Sequence, residues 1–447
     1  MTGGFFSNKW VKFGIVALFY TLWVIWISNY WWLLGLIVIF DIYVSKKVHW
    51  AFWKKKNPPE GKQTTTIEWL DAIIFAVVAA TLIRIFLIEA YVIPTPSMEK
   101  SMLVGDYLFV SKVSYGPKLP NTPISFPFVH HTMPLTKSTK SYVEWIKRPY
   151  KRIAGFGDIK NNDIVVFNFP EGDTVAVNMQ AYNYYYLMRE YGREQIWNNN
   201  RIYGDIIARP VDKRENYVKR CVGIPGDVIE IREGQAIING TNQQSFKDMQ
   251  LDYVITTNGT PINKLILEKI GIPQADQYAF SASQYRYPLT KTQAEEISKL
   301  NNVVSVKAEI QRPGTWDRHI FPYSPDYPWN VDNFGPLKIP RKGETIQLTI
   351  GNLPLYRRII DLYEAHDLEV KNNKIYIDGT EATEYTFAMN YYWMMGDNRH
   401  NSADSRSWGF VPEDHVVGKA VFTWLSLDKE KGFPANIRWK RVLRTIN

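Results

Sequence analysis

Apolar residues run almost without interruption from position 13 to position 44, and the clearest polar break among them is Ser28-Asn29. A single helix of that length would measure about 48 Å, well beyond the roughly 30 Å of a bilayer's hydrocarbon core. The break, together with the tryptophans and tyrosines around it, favours a tight hairpin of two short helices. A single tilted helix is the alternative, and either arrangement predicts a membrane anchor.

A second apolar stretch, 67–88, has about 22 residues and is long enough to cross a bilayer. It contains Arg84 and is followed by Glu89, and charges so close to a helix end can snorkel or pair. No cleavage site of A-x-A type follows the first apolar stretch closely. The pattern therefore favours an anchor over a cleaved signal peptide.

The loop 45–66, between the two apolar stretches, is strongly basic. Loops of this kind beside membrane helices stay in the cytoplasm, so we expect the chain after Glu89 to be extracytoplasmic. The charges that carry this prediction are Lys46, Lys47, Lys54, Lys55, Lys56 and Lys62 against Glu60.

Beyond Glu89 the pattern changes to short β-branched and aromatic runs bounded by Gly, Pro and Asn, which is typical of strands. Apolar residues at helical spacing appear only in 290–300 and 352–366. The Tyr- and Asn-rich stretch 171–216 fits neither pattern. We expect a mainly β domain with a β-rich cap and a few helices. The predicted strands are YLFVSKV, DIVVFNF, DVIEIRE, AIINGT, TIQLTI, KIYIDGT and KAVFTWL.

Composition narrows the class of protein. Hydrophobic residues make up 45% and charged residues 22%, as in ordinary globular proteins, but the aromatic share of 15% and the 16 Trp are high. Such a surplus suits either a membrane interface or an aromatic-rich core. The net charge of +9 resides largely in the basic loop, and no nucleic-acid-binding signature accompanies it. The one cysteine, Cys221, excludes an internal disulfide, and no Cys/His spacing suggests zinc.

The motifs of histidine-based hydrolysis are missing from the sequence. There is no G-x-S-x-G elbow and no H-E-x-x-H, and His130-His131 lies in a Pro-rich loop with no partner motif. A nucleophilic serine nevertheless needs a base that takes its proton. Lysine, a known substitute for histidine in serine hydrolases, is the remaining candidate.

Lys219 lies in the apolar, strand-like run YVKRCVG, whereas most other lysines have polar neighbours. A lysine acts as a base only when neutral, and burial lowers its pKa from about 10.4 by up to about 3–5 units. Alternation places Lys219 on the face of Tyr217 and Cys221, opposite Val218 and Arg220. From this run alone, a surface lysine whose amine reaches solvent stays the alternative.

Ser97 lies in the run Pro-Thr-Pro-Ser-Met, where the prolines restrict the backbone to an extended, rigid loop. A plain linker next to the membrane would have a similar composition. Ser97 follows Glu89 by eight residues, so it can lie at most about 28 Å from the helix end. A nucleophile held there suits substrates whose scissile bond follows a membrane-embedded segment.

Four blocks follow the second apolar stretch in order: IPTPSMEKSMLVGDYLFVSK, NNDIVVFNFP, NYVKRCVGIPGDVIEI and MMGDNRHNSADSRSWGFVP. Together they resemble the signature boxes of bacterial type I signal peptidase (leader peptidase), the Ser/Lys-dyad enzymes of peptidase family S26. The last block, with G-D-N-R, N-S and D-S-R in eleven residues, is the most specific. The resemblance covers roughly 67–167, 216–232 and 388–425, less than half of the chain.

The resemblance implies that Ser97 is the nucleophile and Lys219 the general base. It implies an oxyanion site formed by the Ser97 N–H and the Thr95 hydroxyl, and a role for Ser402 in orienting the lysine amine. It also implies structural support from Asp397, Asn398, Arg399, Asp404 and Arg406. The family often has Asp where this chain has His400, a departure at a supporting position.

The resemblance further implies a membrane-bound serine endopeptidase that removes N-terminal signal peptides from exported preproteins, without metal or cofactor. Cleavage would follow small residues of the A-x-A type, in a fold of coiled sheets. We expect the protein to cross the inner (plasma) membrane more than once, with its catalytic domain on the periplasmic side. The expected partners are preprotein signal peptides, the lipid bilayer and the protein export machinery. The implied pocket residues are Tyr91, Ile93, Pro94, Met98, Met102, Val166, Tyr217 and Val218.

The blocks divide the chain into catalytic segments and insertions whose roles the sequence does not reveal. We expect an anchor at 1–89, catalytic segments at 90–170, 217–232 and 388–425, insertions at 171–216 and 233–387, and a basic tail at 426–447. That tail could touch anionic lipid or merely be solvated. Two other functions are alternatives: a self-cleaving repressor, which would carry a DNA-binding domain and no anchor, and an inactive membrane scaffold.

Overall fold

The structure, a computed structural model, describes residues 8–54, 64–243 and 247–446. Lys55, Lys56, Glu60 and Lys62 of the basic loop therefore lie outside the described residues. The chain forms two compact units, each assembled from separate segments. The first comprises Met1–Glu89, Lys112–His130 and Ser141–Gly157, and the second Ala90–Ser111, His131–Lys140 and Asp158–Asn447.

Strands dominate beyond the N-terminal region, as the alternation predicted. The helices are α1 Lys9–Ile27, α2 Gly35–Phe40, α3 Thr65–Phe86, α4 Tyr184–Tyr191, α5 Arg193–Trp197, α6 Asn200–Tyr203, α7 Lys264–Ile270, α8 Lys291–Ser298, α9 Leu353–Arg358 and α10 Ser405–Trp408. The strands are β1 Ile88–Val92, β2 Asp106–Ser111, β3 Ile164–Asn168, β4 Thr174–Ala176, β5 Ile206–Ala208, β6 Asn216–Gly223, β7 Val228–Arg232, β8 Gln235–Ile238, β9 Thr241–Asn242, β10 Gln250–Thr257, β11 Tyr278–Ala279, β12 Gln284–Thr290, β13 Val303–Ala308, β14 Phe334–Lys338, β15 Thr345–Gln347, β16 Leu368–Lys371, β17 Lys374–Ile377, β18 Thr380–Glu381, β19 Glu384–Thr386, β20 Tyr391–Met395, β21 Val411–Pro412, β22 Val416–Ser426 and β23 Arg444–Thr445.

The first unit contains the apolar helices. α1 ends at Ser28, whose φ of 53° is left-handed, and the chain then folds back through a 3₁₀ turn into α2. The rings of Phe13 and Phe40 pack edge to face at 5.5 Å, and the Tyr20 hydroxyl donates to the Trp32 carbonyl at 2.6 Å. α1 and α3 are long and apolar enough to cross a membrane by length and composition.

The second unit is built on an eight-stranded sheet of order β1-β2-β22-β3-β6-β20-β21, with β23 added to β22. This order brings strands from four distant stretches of the chain side by side: 88–111, 164–168, 216–223 and 391–426. β6 lies between β3 and β20, and Lys219 pairs in register with Val165 of β3. Strand pairing, and not sequence proximity, therefore assembles the sequence blocks into one structure.

The two long insertions build further layers on the second unit. Residues 171–216 form β4, β5 and α4–α6 around a small core of Tyr184, Leu187 and Ile196. β10–β13 with α7 and α8 enclose a separate core that includes Ile255 and Leu289. β7, assigned from the sequence to a catalytic segment, pairs instead with β8 and β14 in a four-stranded sheet.

The basic tail belongs to the second unit and packs against the segment 101–106 and β22. Arg441 forms an ion pair with buried Asp106, with the Nη2 to Oδ2 distance 2.5 Å, and donates to the Ser101 carbonyl at 3.0 Å. β23 pairs with β22, and the Ile446 N–H donates to the Val421 carbonyl at 2.9 Å. The tail thereby supports the segment that follows Ser97.

Candidate active site

Ser97 and Lys219 meet in the second unit, although 122 positions separate them. Ser97 lies in a short 3₁₀ turn, Pro96–Met98, that follows β1, while Lys219 lies in the middle of β6. The Lys219 Nζ is 2.7 Å from the Ser97 Oγ and 3.1 Å from the Val218 carbonyl oxygen. Both side chains are buried, with 7% of Ser97 and 3% of Lys219 exposed. The amine is thus within hydrogen-bond reach of the hydroxyl and shielded from water.

Burial dominates the electrostatics of the lysine. Desolvation is the main cause that lowers the pKa of Lys219 from 10.5 to about 8. The carboxylates of Asp404 and Asp397 raise this pKa, and the Arg406 guanidinium lowers it further. The Tyr217 ring centroid lies 5.5 Å from Nζ, a contact that favours the charged form. With a pKa of about 8, roughly one amine in ten is neutral at pH 7 and half are neutral at pH 8.

The loop 396–399 supports the backbone of the nucleophile. The Asn398 N–H donates to the Ser97 carbonyl at 3.1 Å, and its side-chain amide donates to the Pro96 carbonyl at 3.3 Å. A Cβ placed on Gly396 would lie 2.6 Å from the Ser97 carbonyl oxygen, so only glycine fits there. Sequence reasoning missed this role of Gly396, although the glycine opens the G-D-N-R motif.

Asp397 binds two residues that the sequence analysis did not assign to the site. Arg220 donates to both of its carboxylate oxygens, at 2.9 Å from Nε and 2.7 Å from Nη2. Ser101 donates to it at 2.5 Å. Arg220 is adjacent to Lys219 and Ser101 follows Ser97 by four residues, so one buried carboxylate links β6 to the segment that carries Ser97. Their positions beside the dyad in the sequence were the only available signal.

Asp404 and Arg406 form a buried, two-pronged ion pair, with Nε to Oδ1 at 2.9 Å and Nη2 to Oδ2 at 2.7 Å. The Gly396 N–H donates to the same Asp404 carboxylate at 3.1 Å. Arg406 also donates to the Arg399 carbonyl at 2.5 Å. Burial is the largest influence on Asp404 and by itself raises the pKa of this carboxyl group. The Arg406 guanidinium and the hydrogen bonds to the carboxylate outweigh it together, so the pKa of Asp404 lies below its usual value. The pair therefore fixes both ends of the loop 396–399.

Within the described residues, Ser402 and Thr95 form no contact that tests the roles implied for them. The orientation of the lysine amine by Ser402 and the binding of the oxyanion by Thr95 therefore stay predictions. The Ser402 hydroxyl is half-buried and lies 3.4 Å from the Ala403 carbonyl, and it also bonds the Asp404 carboxylate. Among residues 8–54, 64–243 and 247–446, no hydrogen bond joins it to Lys219. Thr95 is exposed and extended, with φ −126° and ψ 154°. No hydrogen bond of its hydroxyl is present in the described part of the chain.

The eight implied pocket residues divide into groups. Ile93, Met98 and Met102 are buried in one cluster, against which Val218 packs. Val218 and Tyr91 also pack against a second cluster that contains Val166. Val218 thus links the two, next to Lys219. The other two residues are placed differently: Pro94 is exposed, and Tyr217 stacks on Phe169 at 4.6 Å.

His400 faces away from the dyad and contacts the insertion. Its Nδ1 accepts from the Asp252 N–H at 2.9 Å, and its Nε2 lies 2.8 Å from the Asp332 carboxylate. Elsewhere, across the residues that the structure describes, no group of three or more His, Cys, Asp or Glu is placed to hold a metal ion.

Comparison with known proteins agrees with the geometry. The family described as "Signal peptidase, peptidase S26" matches residues 66–258 and 343–425. A protein named "Signal peptidase I" from Buchnera aphidicola subsp. Baizongia pistaciae is 24% identical over 418 residues, 92% of this chain and 93% of that protein. A protein of the same name from Haemophilus influenzae is 25% identical over 85% of this chain and 75% of its own length. Another, from Aquifex aeolicus, is 21% identical over 79% of this chain and 82% of its own length. The chain belongs to the signal peptidase family, peptidase family S26.

Proposed function

We propose that this protein is a type I signal peptidase that removes N-terminal signal peptides from exported preproteins, with Ser97 as nucleophile and Lys219 as general base. One observation carries the assignment of the dyad. The buried Lys219 amine lies 2.7 Å from the Ser97 hydroxyl, and burial lowers its pKa to about 8. A base of that strength can take the hydroxyl proton near physiological pH.

The reaction is acyl transfer in two stages. Neutral Lys219 takes the Ser97 proton as Oγ attacks the scissile carbonyl, and the resulting ammonium gives that proton to the leaving amine as the peptide bond breaks. An ester between Ser97 and the signal peptide remains. Water then attacks this ester while Lys219 takes its proton, and the return of a proton to Oγ releases the signal peptide. Thr95 and the Ser97 N–H are proposed to bind the oxyanion, each such donor contributing about 3–4 kcal/mol.

Selection of small side chains follows from the packing around the dyad. Ile93, Met98 and Met102 form a buried cluster within five residues of Ser97 along the chain, so we expect bulky groups to form the wall against which the substrate side chain lies. A methyl group fits against such a wall, whereas a larger side chain would force the wall to repack at a cost of about 1–3 kcal/mol. We therefore propose A-x-A type sites as substrates.

The protein is proposed to span the inner membrane more than once, with its catalytic unit outside the cytoplasm. α1 and α3 are long enough to cross, and the lysines between them favour a cytoplasmic loop. In the first unit, which contains α1 and α3, Trp145 and Phe156 are 79% and 90% exposed. The indole of Trp26, near the end of α1, donates to the Ala154 carbonyl at 2.9 Å. Aromatic side chains tied to a helix end in this way suit the bilayer interface. Contact with the export machinery is an additional proposal that rests on the substrate class alone.

Cleavage of a model preprotein with an A-x-A site by the detergent-solubilised full chain tests the proposal. Ser97→Ala and Lys219→Ala should each abolish cleavage while the protein still folds. Lys219→Arg should also fail, because guanidinium stays protonated. Matched controls are Ser141→Ala and Lys213→Ala, which alter another buried serine and another buried lysine.

The controls should retain cleavage. An acylating probe should label Ser97 in the wild type but not in Ser97→Ala. Retained cleavage in any of the three dyad variants would refute the assignment. A wild-type chain that neither cleaves nor takes the label would identify an inactive scaffold.

A further inference from the structure

The insertion 233–387 contacts the loop that holds the nucleophile. At the start of β10, the Gln250 N–H donates to the Asp397 carbonyl at 2.9 Å, and the Gln250 carbonyl accepts from the Arg399 N–H at 2.9 Å. The residue between these two, Asn398, donates to the Ser97 carbonyl. Two successive hydrogen bonds, one from β10 to the loop 397–399 and one from the loop to Ser97, therefore connect the insertion to the nucleophile backbone.

His400 extends this junction by one residue. Its Nδ1 accepts from the Asp252 N–H at 2.9 Å, so the ring proton lies on Nε2 and is donated to the Asp332 Oδ1 at 2.8 Å. The ring thus joins the loop to two points of the insertion that are 80 positions apart in the sequence. Both bonds require the neutral ring in one tautomer, because a proton on Nδ1 would face the Asp252 N–H.

The partners of His400 are themselves fixed. Asp332 is 1% exposed, and its second carboxylate oxygen accepts from the Gln311 N–H at 3.0 Å. The Asp332 N–H in turn donates to the Asn330 side chain at 3.1 Å. The His400 ring is therefore bonded to a rigid acceptor and to a strand, not to mobile surface groups.

A second contact reaches the nucleophile segment from another part of the insertion. Lys100, three residues after Ser97, donates to the Gly271 carbonyl at the end of α7, with the atoms 2.6 Å apart. The Gln293 side chain holds the adjacent Ile270 carbonyl at 3.0 Å. The insertion thus contacts the segment around Ser97 both directly, through Lys100, and through the loop 397–400.

We propose that His400 is a positioning residue: it locks the insertion onto the loop 397–400 and thereby holds Ser97 at the distance from Lys219 that acylation needs. This inference rests on the proposed function and gives the insertion a role in the reaction. Loss of the His400 bonds should lower the acylation rate without weakening substrate binding, because the ring is 9% exposed and both of its nitrogens are bonded to the insertion. Displacement of a reacting group by a fraction of an ångström is enough for a loss of about tenfold.

Three substitutions at position 400 distinguish the contribution of the hydrogen bond to Asp252 from that of the hydrogen bond to Asp332. His400→Asn places a carbonyl oxygen near the position of Nδ1, so it can keep the Asp252 bond, whereas His400→Gln places an amide near Nε2 and can keep the Asp332 bond. His400→Ala removes both. The matched control is His366→Ala, which breaks an exposed histidine–aspartate pair of 2.7 Å with Asp378, elsewhere in the insertion.

The experiment uses the full-length protein in detergent and measures kcat and KM on a model preprotein. An acylating probe counts the competent sites and gives the rate at which Ser97 is labelled. His400→Ala should lower kcat and the labelling rate per competent site by about tenfold, with KM within about twofold of wild type. His400→Asn and His400→Gln should fall between it and wild type, and His366→Ala should match wild type.

Two results would overturn the proposal. Wild-type kcat per competent site in His400→Ala would show that the junction does not position Ser97. Failure of all three His400 variants to fold, while His366→Ala folds, would assign the residue a purely structural role. Neither result bears on the assignment of the Ser97 and Lys219 dyad. That assignment would be contradicted by a different result, a wild-type enzyme that does not cleave the preprotein at all.

Discussion

Replacing Lys219 by methionine should stabilise the folded protein at neutral pH while it abolishes activity. Burial lowers the pKa of the amine from 10.5 to about 8 in the folded protein. In the unfolded chain the amine regains its ordinary pKa. Between these two values the unfolded chain holds a proton that the folded chain has lost, so the free energy of unfolding rises with pH across this window.

The magnitude follows from the size of the pKa shift. One pKa unit corresponds to about 1.36 kcal/mol, so a shift from 10.5 to about 8 is a penalty of about 3 kcal/mol. The penalty is fully present below about pH 8 and gone above about pH 10.5. Methionine also loses the contacts of the amine with Ser97 and Val218, but that loss does not depend on pH. The pH-dependent part of the difference therefore reports the buried charge alone.

Denaturant unfolding of the full chain in detergent, followed by tryptophan fluorescence at pH 7 and pH 10, measures this difference. The stability of Lys219→Met relative to wild type should fall by about 2 to 3 kcal/mol between the two pH values. The exposed Lys264→Met is the control, and its difference from wild type should be the same at both. A constant difference for Lys219→Met would mean that the folded protein carries Lys219 charged at its ordinary pKa, which would refute the reasoning.

Three further substitutions test the surroundings of the dyad. Gly396→Ala places a Cβ 2.6 Å from the Ser97 carbonyl oxygen and should lower kcat at least tenfold with little change in KM; unchanged kcat would show that the loop can yield. Thr95→Val should lower kcat by about 100-fold, while Thr95→Ser, which keeps the hydroxyl, should stay near wild type, and equal rates for both would exclude the oxyanion role. Asp397→Asn leaves the buried Arg220 guanidinium without its counter-charge and should destabilise the fold by about 3–5 kcal/mol in denaturant unfolding. A loss below about 1 kcal/mol would contradict the importance of that ion pair.

Local patterns in the sequence were sufficient for most of the elements around the site. The runs at 107–113, 163–169 and 419–425 are rich in β-branched and aromatic residues, and the structure confirms them as β2, β3 and β22. The helix predicted over 290–300 is confirmed as α8, which a Thr290 capping box begins. These predictions succeed because strand-forming composition and helical spacing are visible within a few residues.

Other features depend on long-range contacts that no local pattern contains. β7 alternates like its neighbours in the sequence, but its partners are β8 and β14, which the hydrophobic surface around Ile229 and Phe334 selects. The stretch 171–216 owes its helices to a small core that forms only when Tyr184 and Ile196 meet. The domain boundaries inferred from the sequence accordingly stay a prediction.

The site shows the same division between local and long-range information. The Lys219 run signals a buried lysine only weakly, and its low pKa arises from burial inside the folded second unit, where β6 lies between β3 and β20. The links from Ser101 and Arg220 to Asp397 span 296 and 177 positions, so no spacing rule could reveal them. The His400 contacts are of the same kind, because Asp252 and Asp332 belong to an insertion with no recognisable motif.

The pH dependence of Ser97 acylation tests the central claim most directly. The rate at which an acylating probe labels Ser97 in the wild-type chain should rise with pH through a single midpoint near 8, because only the neutral Lys219 amine can take the hydroxyl proton. Lys219→Met should show no such rise and almost no labelling. A midpoint near 6.5, typical of histidine, or labelling that persists in Lys219→Met would contradict the account.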